Sequence, residues 1–239
     1  MGAVIGTAGW SIPARDAAHF PREGSALERY AARFGGVEIN SSFHRPHRPA
    51  TWQRWAASVP PGFRFAVKLP KTITHERKLA GCTDLVETFI GEAGALGDKL
   101  AVLLVQLPPK LAFDAAFASE FVEELAARTP ARIVCEPRHP SWFEDSADAL
   151  LDRLRVARVA ADPAIVPAAA LSGGWRGFSY WRLHGSPAMY RSAYGPTRLD
   201  EYARLVRAEL GAGRDAWCMF DNTAASAATG DALALMARL

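Results

Sequence analysis

The sequence predicts an α/β protein, a single-domain (β/α)8 TIM barrel over residues 1–239. Eight short apolar segments recur along the chain, and each is closed by Gly, Pro, Asn or Asp, as is typical of buried parallel strands. Helical patterns separate most of these segments. The length of 239 residues also fits a barrel, because barrels of about 200–250 residues fold as one domain.

The predicted strands cover residues 4–9, 37–40, 63–69, 100–107, 132–136, 156–162, 180–184 and 216–221. A doubly wound open sheet is the alternative, and it requires a glycine-rich phosphate loop after the first strand. Residues 6–9 read Gly-Thr-Ala-Gly, which is not that fingerprint, and the chain has no Walker A sequence. The barrel is therefore favoured, and no nucleotide cofactor is indicated.

Apolar residues at helical spacing predict helices over residues 25–34, 50–59, 114–128, 146–154, 199–210 and 229–239. Residues 163–179 are rich in Pro, Gly and Ala. We expect a loop there, with at most a short helix.

Composition indicates a soluble chain with a large core, since 49% of its residues are hydrophobic and 22% are charged. Cys82, Cys135 and Cys218 are widely spaced and predict no disulfide framework. The N-terminus does not read as a signal peptide, and the apolar run at 100–107 is too short to span a bilayer. We expect a cytoplasmic protein with no membrane partner.

The formal charge of +3 is unevenly distributed. Residues 44–78 contain eight basic residues against the single acid Glu76, a net charge of +7, which leaves −4 for the remaining chain. Such an excess attracts an anion or a phosphate backbone. The alternative is compositional, because arginine is used throughout the chain.

Polar residues end most of the predicted strands, and the carboxyl ends of barrel strands carry the active site. Glu38, Glu136 and His184 are predicted to supply acid–base groups. The predicted ligand-binding residues are Asn40, Lys68, Lys71, His75, Gln106, Arg138, Trp142, Arg182, Asp221 and Asn222. The structural alternative is a salt-bridged network closing the barrel top, with pairs such as Glu38–Lys68 and Glu136–Arg182.

Three kinds of chemistry remain open for this ring. Carboxylates and an imidazole suit a divalent metal, but neighbouring Lys68, Arg138 and Arg182 repel one, so a metal is not favoured. Acid–base catalysis by a carboxylate paired with His184 is the second. Anion binding by lysine and arginine is the third. The absence of a G-x-S-x-G motif argues against acyl transfer.

Several motifs resemble those of the YecE-like family, domain of unknown function 72. They include Gly-Thr-Ala-Gly-Trp at 6–10, Val-Glu-Ile-Asn-Ser-Ser-Phe at 37–43, Glu-Pro-Arg-His-Pro-Ser-Trp at 136–142 and Tyr-Trp-Arg-Leu-His-Gly at 180–185. The resemblance implies a TIM barrel similar to those of the xylose-isomerase and endonuclease IV group, and little about activity. Where many relatives carry Asn-Asn near the last strand, this chain has Asp221-Asn222.

Three functional hypotheses follow. The first is an enzyme or enzyme-like barrel binding a small, phosphate-bearing anion, with hydrolysis or other acid–base chemistry on a phosphorylated or nucleic-acid substrate. The second is a non-catalytic nucleic-acid-binding protein. The third is a metal-dependent endonuclease or sugar-isomerase-like enzyme. The sequence leaves the oligomeric state open.

Overall fold

The structure, a computed structural model, describes residues 2–239, in which two β-sheets are flanked by helices. All eight predicted strands are present. The observed strands are β1 (Ala3–Thr7), β2 (Gly36–Ile39), β3 (Arg64–Lys68), β4 (Leu100–Gln106), β5 (Arg132–Glu136), β6 (Ala157–Arg158), β7 (Ala160–Asp162), β8 (Gly173–Gly174), β9 (Phe178–Leu183) and β10 (Asp215–Phe220).

The strands lie in two sheets, of order β2-β3-β4-β5-β6-β8 and β1-β10-β9-β7, and not in the single closed barrel that the sequence predicts. Every pairing is parallel except that of β6 with β8. The predicted strand at 156–162 is divided at Val159. Its first part pairs with β5 and its second part with β9, so this one stretch of chain belongs to both sheets.

The two sheets also meet where β1 approaches β2. A single bridge joins Ala8 to Glu38, and the Gly9 amide donates to the Glu38 carbonyl at 2.8 Å. Gly6 and Gly36 allow this approach, because a Cβ on Gly6 would lie 2.4 Å from the Gly36 carbonyl oxygen. Only glycine fits such close backbone contact.

An inner apolar cluster lies between the two sheets, and the alternation of strand side chains explains it. Its buried members are Ala66, Val102, Leu104, Val134, Ala157, Val159, Phe178, Tyr180, Trp217 and Met219. The opposite strand faces pack against the helices in a larger cluster. Closer to the carboxyl ends of the strands, the side chains that follow this inner cluster are polar, as at Lys68, Gln106 and Glu136.

The helices are α1 (Ala26–Ala31), α2 (Ser41–His44), α3 (Pro49–Ala57), α4 (Thr83–Ala93), α5 (Ala115–Ala126), α6 (Asp145–Arg153), α7 (Pro196–Gly211) and α8 (Ala228–Met236). Local sequence sets several starts. Ser25 and Glu28 form a capping box before α1, and Asp114 accepts from the first amides of α5. Proline occupies the first turn of α3 and α7.

The sequence prediction missed α4, which buries Val86, Phe89 and Ala93. These buried residues follow helical spacing, but Cys82 provides no side-chain cap and Gly91, a poor helix former, lies inside the helix. Residues 163–179 form the predicted loop, with a short 3-10 helix at Pro167–Ala170 and the two-residue β8. No helix within residues 2–239 has the length and apolar character needed to cross a bilayer.

Candidate functional site

The carboxyl ends of the strands bring together most of the polar residues that the sequence predicted for a site. Glu38, Lys68, Gln106, Glu136 and Arg182 lie at or next to the ends of β2, β3, β4, β5 and β9. His184 and Asp221 follow β9 and β10 directly, and the Asp221 amide donates to the Leu183 carbonyl at 2.8 Å. Residues far apart in sequence therefore share one end of the fold.

Arg182 is the centre of this cluster and is 1% exposed. Its Nε lies 3.1 Å from both Glu38 carboxylate oxygens, and its Nη2 donates to Glu38 Oε1 at 2.7 Å. Nη1 donates to Glu136 Oε2 at 2.5 Å, and Nη2 also reaches Asp221 Oδ2 at 2.9 Å. One guanidinium thus holds three carboxylates.

Glu136 and Asp221 also enclose His184. Nε2 of the ring lies 2.9 Å from Glu136 Oε1, and Nδ1 lies 3.1 Å from Asp221 Oδ2. Arg138 Nη2 donates to Glu136 Oε1 and lies 2.8 Å from His184 Nε2. A protonated imidazole donates to both carboxylates, whereas a neutral one donates to one of them.

The surrounding cations set the charge state of these carboxylates. Burial opposes ionisation of Glu136, but Arg182, Arg138 and His184 outweigh it and hold the pKa of Glu136 well below its ordinary 4.5. Burial likewise opposes ionisation of Asp221, and Arg182 and His184 nevertheless lower its pKa. Both groups are therefore ionised at neutral pH.

Lys68 differs from its neighbours because its ammonium group makes no hydrogen bond or ion pair within residues 2–239. The Nζ atom lies 4.0 Å from the centre of the Phe43 ring, in a cation–π contact. Burial, and then the charge of Arg182, lower the pKa of Lys68 from 10.5 to about 8, against the opposing pull of the three carboxylates.

An open cleft of about 300 Å³ lies over this cluster. It is lined by Lys68, Gln106, Pro109, Arg138, Ile165, Arg182, Tyr190 and Asp221. Arg138 and Asp221 keep 13% and 14% of their side chains exposed, so both can contact a ligand. Glu38 and His184 are fully buried beneath them.

Tyr180 belongs to the cluster, although it is not among the site residues predicted from the sequence. Its hydroxyl donates to Glu38 Oε2 at 2.7 Å, and burial followed by the Glu38 charge raises the pKa of Tyr180 well above 10.0. The signal was present, because Tyr180 shares the strand parity of Arg182 and His184 and so points to the same face.

Two predicted ligand-binding residues are explained by other contacts. The Trp142 indole is buried, donates to the Leu111 carbonyl at 3.0 Å and packs against Phe113, so it supports the loops and does not line the cleft. Asn222 is also buried. Its amide donates to Asp231 Oδ2 at 2.6 Å and to a loop carbonyl at 2.9 Å, which fixes the backbone behind the site.

Three more predicted ligand-binding residues do not line the cleft. Lys71 pairs with Glu76 at 3.2 Å and lines a second, largely apolar cavity of about 280 Å³ next to α3 and α4. His75 contacts the Phe43 ring, and burial and the Lys68 charge lower its pKa. Asn40 directly follows β2, and its buried Oδ1 has no hydrogen-bond partner in the described chain.

The three carboxylates of the cluster, those of Glu38, Glu136 and Asp221, all form ion pairs with Arg182. Within residues 2–239, no group of three or more His, Cys, Asp and Glu side chains is arranged to hold a metal ion. Of the two pairs given as examples of the structural alternative, Glu136–Arg182 is present, whereas Glu38 pairs with Arg182 and not with Lys68.

Fold and site together define an α/β protein with a TIM-barrel-like arrangement and a buried arginine–carboxylate cluster at the carboxyl ends of its strands. A family profile described as "Protein of unknown function DUF72" matches residues 4–239. The chain belongs to the DUF72 family, which confirms the resemblance seen in the sequence.

Individual relatives agree with this assignment. The UPF0759 protein YecE of Escherichia coli K12 is 34% identical over 105 residues, which cover 44% of this chain and 37% of the E. coli protein. The match thus spans little more than a third of that relative's length.

Solved structures show the same fold. A DUF72 family protein from Enterococcus faecalis V583 superposes with a TM-score of 0.81 at 17% identity, covering 99% of this chain and 95% of that one. A DUF72 family protein from Thermotoga maritima MSB8 gives 0.79 at 22% identity, covering 99% and 98%. A fusion protein containing a xylose isomerase-like TIM barrel gives 0.50 at 15% identity, covering 89% of this chain and 39% of that one.

Proposed function

We propose that the cleft at the carboxyl ends of the strands binds a small anionic ligand that carries a phosphate or carboxylate group. The observation that carries this proposal is the Lys68 ammonium, which lines the cleft without an anionic partner in the described chain. A half-buried cation without a partner costs free energy, and a bound anion offsets that cost. Arg138 lines the same cleft and supplies a second cation.

The remaining charges divide between ligand binding and positioning. Glu38 is fully buried, its Oε1 accepts from Arg182 and its Oε2 accepts from Arg182 and Tyr180, so we assign it a positioning role in place of the acid–base role expected from the sequence. Arg182 forms ion pairs with three carboxylates, so its main role is to hold those carboxylates in position. Asp221 is the carboxylate that reaches the cleft, with His184 behind it, and this pair is the best candidate for acid–base chemistry.

The two sheets support this location. We propose that they act together as a (β/α)8-type barrel whose ligand site is at the carboxyl ends of the strands, as in other barrels of this kind. The single residue break at Val159 and the bridge between Ala8 and Glu38 keep the sheets next to each other around one inner core.

A small ligand fits the charge distribution better than a nucleic acid does. The basic segment 44–78 is dispersed, since Arg64 and Lys68 lie at opposite ends of β3 and Lys71 is paired with Glu76. A nucleic-acid footprint requires basic residues clustered on one face. Nucleic-acid binding and metal dependence stay alternative hypotheses from the sequence, and a cytoplasmic location stays a prediction.

Binding of inorganic phosphate, measured by isothermal titration calorimetry, tests the proposal. Lys68→Met removes one charged contact and is expected to weaken phosphate binding by about tenfold to a hundredfold. Lys78→Met is the matched control, because Lys78 is exposed and lines neither cavity. Equal affinity of wild type and Lys68→Met would overturn the proposal.

The salt dependence of oligonucleotide binding distinguishes the small-anion site from the nucleic-acid alternative. A DNA or RNA oligonucleotide is expected to show no binding at low salt. Tight oligonucleotide binding that falls steeply with salt would instead support the nucleic-acid hypothesis, because phosphate contacts release counterions. A Lys68→Met effect on oligonucleotide binding equal to that of Lys78→Met would then place the nucleic acid outside the cleft.

A further inference from the structure

We propose that Lys68 is a carbonyl-reactive amine, which forms an imine with a small aldehyde or ketone that carries an anionic group. This inference rests on the proposed anion site and specifies the chemical class of its ligand. It assigns covalent chemistry to a side chain that sequence patterns indicated only as a binding cation.

The placement of Lys68 meets the requirements of an amine nucleophile. Such an amine must reach the ligand, have an accessible lone pair and be free of an ion pair that would keep it protonated. Lys68 ends β3 at the cleft, and its Nζ makes no hydrogen bond or ion pair within the described residues. The Phe43 ring, 4.0 Å away, covers one side of the amine and excludes water there.

The electrostatic environment supports the same role. Burial and the nearby Arg182 lower the pKa of Lys68 to about 8. At pH 7 about a tenth of such amines are uncharged, against roughly three in ten thousand for a lysine with a pKa of 10.5. The three carboxylates prevent a larger shift. They also favour a cationic adduct over a neutral one.

The step balances without a further reactant. The uncharged amine adds to the carbonyl carbon, forming a C–N bond while the carbonyl oxygen takes up a proton, which gives a carbinolamine. Loss of the hydroxyl as water then leaves a protonated imine. Overall, the ammonium and the carbonyl compound give an iminium and one water molecule, so the positive charge stays on the nitrogen. No oxidant or reductant is consumed.

The position of Arg138 indicates that the carbonyl compound carries an anionic group. Its guanidinium lines the cleft that holds Lys68, and it is fixed by Glu136 and His184 through Nη2 alone. The remaining N–H groups of the guanidinium can grip a carboxylate or a phosphate. A ligand held there places its carbonyl group inside the same cleft as the amine.

Reductive trapping tests the inference. The full-length protein is incubated at pH 7 with pyruvate or dihydroxyacetone phosphate and sodium cyanoborohydride, which converts an iminium to a stable secondary amine. Intact mass and peptide mapping then locate the adduct. We expect Lys68 to be labelled at least about tenfold faster than the exposed Lys78 or Lys110, because far more of it is uncharged. Acetone, a neutral ketone, is expected to label it more slowly.

Measuring phosphate binding and lysine labelling on the same wild-type protein distinguishes this inference from the anion site. Lys68→Arg removes the primary amine, so it is the control that assigns the adduct: the labelled peptide that contains residue 68 is expected to disappear, while the exposed Lys78 and Lys110 are labelled as in wild type. If wild type binds phosphate through Lys68 yet labels Lys68 no faster than Lys78, the imine inference fails and the anion site stands. If acetone labels Lys68 as fast as pyruvate does, the anionic requirement fails. If the wild type neither binds phosphate nor labels Lys68 selectively, both proposals are refuted.

Discussion

Replacing Lys68 with methionine is expected to stabilise the protein at neutral pH. In the folded protein the pKa of Lys68 is about 8, against 10.5 for an ordinary lysine. This difference of 2.5 units means that keeping the amine charged costs about 3 kcal/mol of folding free energy below pH 8. Methionine has a similar length and carries no charge, so it avoids this cost.

The gain is reduced by the contact with Phe43. A cation–π contact contributes about 0.5–2 kcal/mol, and a thioether against an aromatic ring recovers part of that. We therefore expect Lys68→Met to raise the free energy of unfolding by about 1–3 kcal/mol at pH 7.

The pH dependence identifies the cause. Between pH 8 and 10.5 the unfolded wild type binds more protons at this lysine than the folded one, so wild-type stability rises with pH relative to the variant. The difference between the two proteins should shrink across this interval. Tyrosines and cysteines that titrate in alkali are present in both proteins and cancel.

Urea unfolding of wild type, Lys68→Met and the Lys78→Met control at pH 7, 8, 9 and 10 measures these differences. The control is expected to stay within about 0.5 kcal/mol of wild type throughout, as an exposed position should. A Lys68→Met variant that is less stable than wild type at pH 7 would refute the reasoning. So would a stability gap that stays constant up to pH 10.

Further variants probe the buried cluster. Tyr180→Phe removes a hydrogen bond to a buried carboxylate and should lower the free energy of unfolding by about 1.5–3 kcal/mol in urea; no change would mean that Glu38 is satisfied without it. Arg182→Leu leaves three carboxylates without their main cation, and a loss of at least about 3 kcal/mol is expected by the same method. Because the folded protein holds the pKa of Glu136 below 4.5, the ionised Glu136 stabilises the fold above pH 4.5, and this stabilisation is lost as the pH falls below 4.5. The free energy of unfolding of Glu136→Gln should therefore fall less than that of wild type between pH 5 and 3. Equal decreases in the two proteins would contradict this. Trp142→Phe should cost about 1 kcal/mol and leave phosphate affinity unchanged in calorimetry, and a weakened affinity would return this ring to the cleft.

The strand pattern was readable from sequence because buried parallel strands produce short apolar runs at regular intervals. The positions of Lys68, Arg182 and Asp221 at the carboxyl ends of predicted strands placed them at one end of the fold. The strand pattern did not identify the break at Val159, because a strand that changes partners keeps the same apolar pattern on both sides of the break.

Pairing within the site was harder to predict. Glu38 and Arg182 are 144 residues apart, and their contact depends on the stagger of strands in different sheets and on side-chain rotamers. Trp142 illustrates a second limit. A tryptophan in a loop after a strand suits ligand stacking and loop packing equally well, and the sequence does not show the burial, the Phe113 contact and the hydrogen bond to Leu111 that distinguish them.

The glycine contact between β1 and β2 also fixes the distance at which the charged cluster forms. Glu38 lies two residues beyond Gly36 on β2, whereas its partner Arg182 belongs to the other sheet. A methyl group at Gly6 would force the two strands apart and carry Glu38 away from the guanidinium. The cluster would then be weakened by a purely apolar change at the neighbouring strand. The charge pairing beneath the cleft therefore depends on two residues that carry no side chain and make no contact with the cleft.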